Sequence, residues 1–113
     1  MRMHILNHSD LAWSATKLCR QHLIGDHGEL HKHLHVFIRK YSIAGRRGQI
    51  SPLYMKSWHN ALAAEMTNRG YNHKSKFQQP NLTYLPYEDL VGKANEEEVL
   101  EKLQNCPECR KRL

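Results

Sequence analysis

The chain has 113 residues, with 17 Lys and Arg against 11 Asp and Glu, so its formal net charge is +6 before its nine His are counted. This length fits one domain with a single modest core and excludes a two-domain enzyme with a large cofactor cradle. The apolar fraction of 40% excludes a disordered polyelectrolyte, and no apolar run approaches the roughly 20 residues of a membrane span. The basic balance favours an anionic partner, with nucleic acid as the first candidate.

The N-terminus and the cysteine count indicate the compartment. Residues 1–10 lack the basic-then-apolar layout of a signal peptide. Three cysteines cannot all pair in disulfides, which favours a reducing interior. We therefore expect an intracellular protein, in the cytoplasm or nucleoid, that is a monomer and does not contact a membrane.

The first helical pattern begins after Asp10 and extends to about Tyr41. Gly25 and Gly28 each weaken its middle by about 1 kcal/mol relative to Ala, and Asp26 could cap a new start there. The pattern therefore predicts either one bent helix or two helices. An apolar stripe at helical spacing runs along it. Its members are Cys19, Leu23, Leu30, Leu34, Phe37, Ile38 and Tyr41.

Two further helices are indicated by their ends. Ser51 is placed at an N-cap, with Pro52 at the first helical position, and Gly70 follows as the C-cap. The pattern of residues 71–93 predicts an irregular segment. A last helix, with three Glu in its first turn, is predicted over about 95–105. No hairpin signal is present. The sequence therefore predicts that residues 1–113 form one compact all-α domain of three to four helices, with the irregular segment before the last helix. The apolar face of the middle helix is Met55, Trp58, Leu62 and Met66.

Four polar residues share one helical face beside the apolar stripe. They are His22, Glu29, His33 and Lys40. A carboxylate flanked by His and Lys on a half-buried face can serve as a general acid or base. The same spacing is also typical of a solvated helix face with charge pairs at i, i+4.

Two patterns raise the question of a metal. His27, His31 and His35 repeat at i, i+4 and i+8, and an i, i+4 pair of imidazoles can bind zinc. Cys106 and Cys109 form one CxxC motif. This motif is either half of a zinc site that Cys19 or a His would complete, or a redox pair. Neither pattern is complete, so the sequence predicts no metal and no cofactor. A small zinc-containing interaction protein stays open as an alternative.

Several segments occur in an order and spacing that point to one family. QHLIGDHGEL stands at residues 21–30, and the basic Ile-Arg-Lys at 38–40. A basic loop runs into Ile-Ser-Pro over 45–52, and Asn-Arg-Gly-Tyr-Asn stands at 68–72. Over residues 21–73 the chain resembles the pyrimidine-dimer DNA glycosylases of the phage endonuclease V type.

The resemblance implies a compact helical, metal-free DNA-repair enzyme. In that family the α-amine at the chain start attacks C1′ of a damaged nucleotide and forms a Schiff base, and the strand is then nicked at the abasic site. Glu29 corresponds to the Glu that stabilises the sugar cation and assists β-elimination. Because Arg2 follows Met1 and a large second residue keeps the initiator in place, the amine is assigned to Met1, with a start at Met3 as the alternative. An α-amine has a pKa near 8, so it is far more often neutral than a lysine.

Other residues carry over with binding roles. His22 corresponds to a contact at the damaged sugar and Gln21 to its neighbour, and Arg2 completes the candidate catalytic set. Tyr71 and Phe77 lie in the irregular segment, where aromatic side chains could stack on unpaired bases or simply attach the segment to the core. The candidate contacts to the DNA backbone, besides Gln21, are Lys32, His33, Arg39, Lys40, Arg46 and Arg47.

The sequence thus predicts a DNA glycosylase with abasic-site lyase activity. Its expected substrate is double-stranded DNA that contains UV-damaged pyrimidines or abasic sites. The alternative is a basic DNA-binding module of the same fold without catalysis. One departure from the family is that an acidic helix and the tail Cys106–Leu113 replace its aromatic, Lys-rich C-terminus.

Overall fold

A computed structural model describes residues 2–72 and 76–113, and every regular element in these two ranges is helical. This confirms the all-α prediction. Across the same two ranges, no helix has both the length and the apolar character to cross a bilayer. The helices are α1 (Leu11–Thr16), α2 (Arg20–Ile38), α3 (Met55–Asn68), α4 (Tyr87–Leu90), α5 (Glu96–Gln104) and α6 (Pro107–Arg110), with 3-10 turns at Ala44–Arg46 and Pro52–Tyr54.

The long first pattern folds as two helices, but the break is not at the glycines. It lies at residues 17–19, where Arg69 from the end of α3 donates to the carbonyl oxygens of Leu18 at 2.7 Å and Thr16 at 3.3 Å. These bonds satisfy carbonyls at the end of α1 that the helix leaves open. Helix α2 runs without interruption through Gly25, and the expectation that Asp26 caps a new start is wrong because Asp26 is buried in mid-helix.

The predicted burial of the apolar stripe is confirmed over most of α2 and is wrong at its C-terminal end. Leu23 and Phe37 are buried, whereas Ile38 is 65% exposed and Tyr41 is 51% exposed. Helix α2 ends at Ile38, and Lys40 then takes a left-handed conformation with φ of 59°. The residues after Ile38 are therefore not helical, and helical spacing no longer places their side chains on the apolar stripe.

Helix α3 is the central element, packed against both α1 and α2. Its end confirms the predicted glycine cap. Gly70 has φ of +83°, its N–H donates to Thr67 O at 3.0 Å, and the N–H of Tyr71 donates to Met66 O at 2.8 Å. This pair of bonds is a Schellman motif, which requires the left-handed residue. The four predicted face residues, Met55, Trp58, Leu62 and Met66, are all buried.

The predicted helix start at Pro52 is a 3-10 turn, and α3 itself begins at Met55. The side chain of Ser51 makes no capping hydrogen bond. The hydroxyl is fully buried, accepts from Ala94 N–H at 2.6 Å and lies 2.8 Å from His8 Nε2. The other ring nitrogen of His8 lies 2.7 Å from a carboxylate oxygen of Glu96. Ser51 therefore links the start of α3 to the N-terminal segment and to the segment before α5.

The C-terminal part matches its prediction with two differences. Asn95 caps α5 by accepting from Glu98 N–H at 3.1 Å. Residues 71–93 are irregular where described, except for the single turn α4. Val99 and Leu103 of α5 are fully buried, whereas Leu100 is 40% exposed. Helix α6, which the sequence did not predict, begins with Pro107 at its first position.

The N-terminal segment is extended and forms part of the core. Met3 is 1% exposed and Ile5 is fully buried, and these two alternate with the more exposed Arg2 and His4. The N–H of Met3 donates to Gln49 O at 2.8 Å. The segment is thus held against the basic loop as well as against the helices.

A single buried carboxylate joins this segment to α2 and α3. Asp26 is 4% exposed and accepts from the backbone N–H of His4 at 2.8 Å and from the indole N–H of Trp58 at 3.0 Å. Its second oxygen lies 2.6 Å from Nδ1 of the same His4 ring. A buried carboxylate is stable only when its oxygens are paired in this way.

We expect Asp26→Asn to lower the free energy of unfolding by about 2–4 kcal/mol, because an amide cannot accept from all of these donors. Urea unfolding at pH 7 would measure the loss. The matched control is Asp10→Asn, because Asp10 caps α1 through Trp13 N–H at 3.0 Å and Asn caps a helix as well as Asp does. Equal midpoints for Asp26→Asn and the wild type would contradict the assignment.

Candidate active site

A cavity of about 390 Å³ opens where the N-terminal segment crosses α2. Helix α2 supplies most of its wall, because Gln21, Gly25 and Glu29 follow one another at i, i+4 and i+8 along one helical line. Four predicted site residues meet here: Arg2, Gln21, His22 and Glu29. The rest of the lining is His4, Gly25, Asp26 and Gln49.

Glu29 presents a partly exposed carboxylate to this cavity. Its side chain is 43% exposed, and its Oε2 lies 3.7 Å from His33 Nδ1. The same nitrogen of His33 lies 3.0 Å from the carbonyl oxygen of Glu29. Lys40, predicted on this face, follows the end of α2 and does not line the cavity. The carboxylate can stabilise a positive charge that develops in the cavity.

His22 is the imidazole at the cavity wall. Its ring meets that of His4 edge to face, with centroids 5.1 Å apart. Burial and the neighbouring His4 lower the pKa of His22 below 6.5, against the raising effect of Asp26. His4 was missed because it precedes every helical pattern. Asp26 could have been found, since the helical wheel places it between the apolar stripe and the face that carries Glu29.

Arg2 brings a cation to the cavity. Its Nη2 pairs with Glu98 Oε1 on α5 at 2.8 Å, and the side chain is only 15% exposed. Among the described residues, the buried Nη1 has no hydrogen-bond partner. This nitrogen is suited to receive an anionic group such as a phosphate. Met1, the predicted nucleophile, lies outside the described residues.

The basic loop borders the cavity through Gln49, whose N–H donates to Arg46 O at 3.0 Å. Arg47 is engaged elsewhere, because it forms an ion pair with the buried Asp89. The hydrogen bond to Asp89 raises the pKa of Arg47. Asp89 was missed because only the fold brings it next to the loop. Of the other predicted DNA contacts, Lys32, Arg39 and Lys40 are exposed on or just after α2, and Arg46 in the loop is half-buried.

The predicted line of imidazoles is rearranged by α3. His27 and His31 join His59, and the ligand nitrogens of the three lie within 4.8 Å of one another. His35 is not part of this group. Phe77 stacks on His59 with centroids 5.2 Å apart and is itself buried. This contact supports the interpretation that Phe77 attaches the irregular segment to the core.

The three cysteines and one cavity residue form a second cluster. Cys19, His22, Cys106 and Cys109 have their ligand atoms within 4.8 Å of one another, and all three cysteines are free. Burial raises the pKa of the Cys109 thiol to about 12. The fold therefore brings both candidate partners of the CxxC, Cys19 and a histidine, to it.

Residues 1–79 match a family described as pyrimidine dimer DNA glycosylase. The match covers well over half of the chain and contains Arg2, Gln21, His22 and Glu29. It confirms the resemblance inferred from the motifs between Gln21 and Asn72. No curated protein and no solved structure matches the chain.

Proposed function

Since the chain belongs to the pyrimidine dimer DNA glycosylase family, we propose that it excises a UV-damaged pyrimidine from duplex DNA and then cleaves the abasic site by β-elimination. The observation that carries this proposal is the cavity in which the N-terminal segment meets α2. There Arg2, His22 and Glu29 supply a cation, an imidazole and a carboxylate around one space. A nucleotide extruded from the duplex would enter it.

The proposed nucleophile is the α-amine of Met1. The support is that Arg2, one peptide bond away, lines the cavity. An α-amine with the ordinary pKa of about 7.7–8.0 is neutral in a useful fraction at pH 7, whereas a lysine with a pKa of about 10.4 is almost wholly protonated. Only the neutral amine can attack carbon.

The proposed reaction has two stages. The amine attacks C1′ of the damaged nucleotide, the bond from C1′ to the base breaks, and the base leaves with the bonding electrons and takes up a proton. The sugar ring opens to a Schiff base, and the Glu29 carboxylate stabilises the positive charge on the sugar. Loss of a C2′ proton, assisted by Glu29, then expels the 3′ phosphate, and water releases the amine.

The proposed DNA grip is electrostatic. Arg2 Nη1 would bind a phosphate beside the cavity, and His33 would approach the backbone near Glu29. Such contacts fix the register of the duplex without reading its sequence. Farther out, phosphates would be held by Lys32, Arg39, Lys40 and Arg46.

We expect borohydride to trap the wild-type protein covalently on duplex DNA that contains an abasic site. Glu29→Gln should lower the rate of strand cleavage about 100-fold or more, because the amide carries no charge to stabilise the sugar cation. Gel assays of trapping and nicking would measure both. The control is Glu101→Gln, which removes an exposed carboxylate from α5 and should leave the rate unchanged.

Peptide mapping of the trapped adduct would identify the nucleophile. An adduct on Met1, absent after the α-amine is blocked, supports the assignment, whereas an adduct on a lysine contradicts it. Salt-dependent DNA binding with neither trapping nor nicking would show instead the non-catalytic DNA-binding module. An unchanged cleavage rate for Glu29→Gln would remove Glu29 from its role.

Two glycines of α2 allow a matched test of the cavity. A Cβ added at Gly25 or at Gly28 meets nothing within 4 Å, but only Gly25 lines the cavity. Both alanine variants should raise the free energy of unfolding by about 0.5–1 kcal/mol, because alanine favours a helix. We expect only Gly25→Ala to slow cleavage, by about tenfold, because its methyl group occupies substrate space. Equal cleavage rates for the two variants would show that the substrate lies elsewhere.

The basic loop offers a second matched pair. Removing one phosphate contact reduces the slope of log affinity against log salt by about 0.9. We expect this reduction for Arg46→Gln, with little change in stability. Arg47→Gln should mainly lower stability, because buried Asp89 loses its cation. Fluorescence titrations at several salt concentrations and urea unfolding would separate the effects. The reverse pattern would contradict this division of roles.

A further inference from the structure

We propose that Cys19, His22, Cys106 and Cys109 bind one structural zinc ion. All four ligand atoms lie within 4.8 Å of one another. Nδ1 of His22 is 3.2 Å from Cys19 Sγ and 3.2 Å from Cys109 Sγ. Three thiols and one imidazole are a Cys₃His set, which is typical of structural zinc sites.

The distances suit a tetrahedral ion. Zinc binds sulfur at about 2.3 Å and imidazole nitrogen at about 2.0–2.1 Å, so neighbouring ligand atoms of a tetrahedron are about 3.5–3.8 Å apart. The two separations of 3.2 Å and the limit of 4.8 Å bracket this value. Small side-chain adjustments would therefore close the four ligands around one ion.

The ligands come in two pairs with the same spacing. Cys19 is the N-cap of α2, and His22 lies three residues later in its first turn. Cys106 is the N-cap of α6, and Cys109 again follows after three residues. A spacing of two intervening residues is a usual one for zinc ligands, and two such pairs complete a four-coordinate site. The ion would join the start of α2 to the C-terminal tail.

A backbone hydrogen bond to one of the sulfur atoms supports the assignment. The N–H of Cys19 donates to Cys109 Sγ at 3.2 Å. Such a bond orients the ligand from outside the first layer of a metal site.

The burial of the cluster indicates a structural role. Cys109 is fully buried and Cys19 is 6% exposed. Four protein ligands leave no open position for water or substrate, unlike a catalytic zinc site. The ion would also hold the His22 ring through Nδ1 while that ring lines the cavity. The proposal replaces the sequence-based expectation of a metal-free protein, and it does not depend on the proposed reaction.

The first experiment uses the full-length protein purified under reducing conditions. We expect elemental analysis and native mass spectrometry to find one zinc per chain. Replacement by Co²⁺ should give the visible bands of a tetrahedral ion and a strong near-ultraviolet charge-transfer band from the thiolates. A protein that takes up no zinc, or whose mass is two hydrogens low because of a Cys106–Cys109 disulfide, would overturn the proposal.

Variants then locate the ion. We expect Cys106→Ser, at the most exposed of the three thiols, to lose the bound zinc or bind it at least tenfold more weakly. The control is His31→Gln in the separate cluster of three imidazoles, which should keep one zinc. Zinc lost from His31→Gln and kept by Cys106→Ser would place the metal in the imidazole cluster and refute the thiol site. Because the Co²⁺ spectrum is measured on the wild type, the proposal remains testable if a variant fails to fold.

Discussion

The arrangement of the site depends on the pairing of one buried charge. The Asp26 carboxylate sits inside α2, away from water, and needs donors that its own helix cannot supply. The backbone N–H of His4 and the indole of Trp58 provide them. These hydrogen bonds hold the N-terminal segment across α2 and attach α3 to the same carboxylate. Arg2 thereby reaches the wall that carries Glu29, two residues from the point where the segment is bound. The proposed nucleophile at the chain terminus requires such an anchor, because free termini lose order easily.

Local patterns predicted the helices whose signals agree with one another. Helix α3 has a regular apolar face and a glycine end, and both are confirmed, whereas Pro52 begins a 3-10 turn that precedes the helix. The continuity of α2 was not predictable from propensity, because a cost of about 1 kcal/mol per glycine is small beside the burial of Leu23 and Phe37. The wall residues on α2 could be predicted because helical spacing alone brings them together. His4 and Asp89 could not, since only tertiary packing brings them to the cavity and to the basic loop.

The segment after residue 79 lies beyond the family match, and it supports the site. Glu98 on α5 holds the guanidinium of Arg2, and Glu96 contacts the backbone N–H and the ring of His8. Asp89 holds Arg47 in the basic loop. The acidic residues of α5, which the sequence shows as a departure from the family, therefore have a physical role: they contact and position Arg2 and His8 of the N-terminal segment. The matched family segment supplies the candidate chemistry, and the remaining residues fix its geometry.

His22 connects these two parts of the chain. One side of its ring belongs to the cavity, and its Nδ1 lies 3.2 Å from the sulfur atoms of Cys19 and Cys109. An imidazole whose Nδ1 is committed in this way has a fixed ring plane, and only Nε2 remains for a substrate. The C-terminal tail thus contacts a residue of the cavity wall without lining the cavity itself. A substitution of the tail cysteines would alter the cavity by changing the orientation of the His22 ring. A substitution of Asp26 would alter it by shifting the whole N-terminal segment.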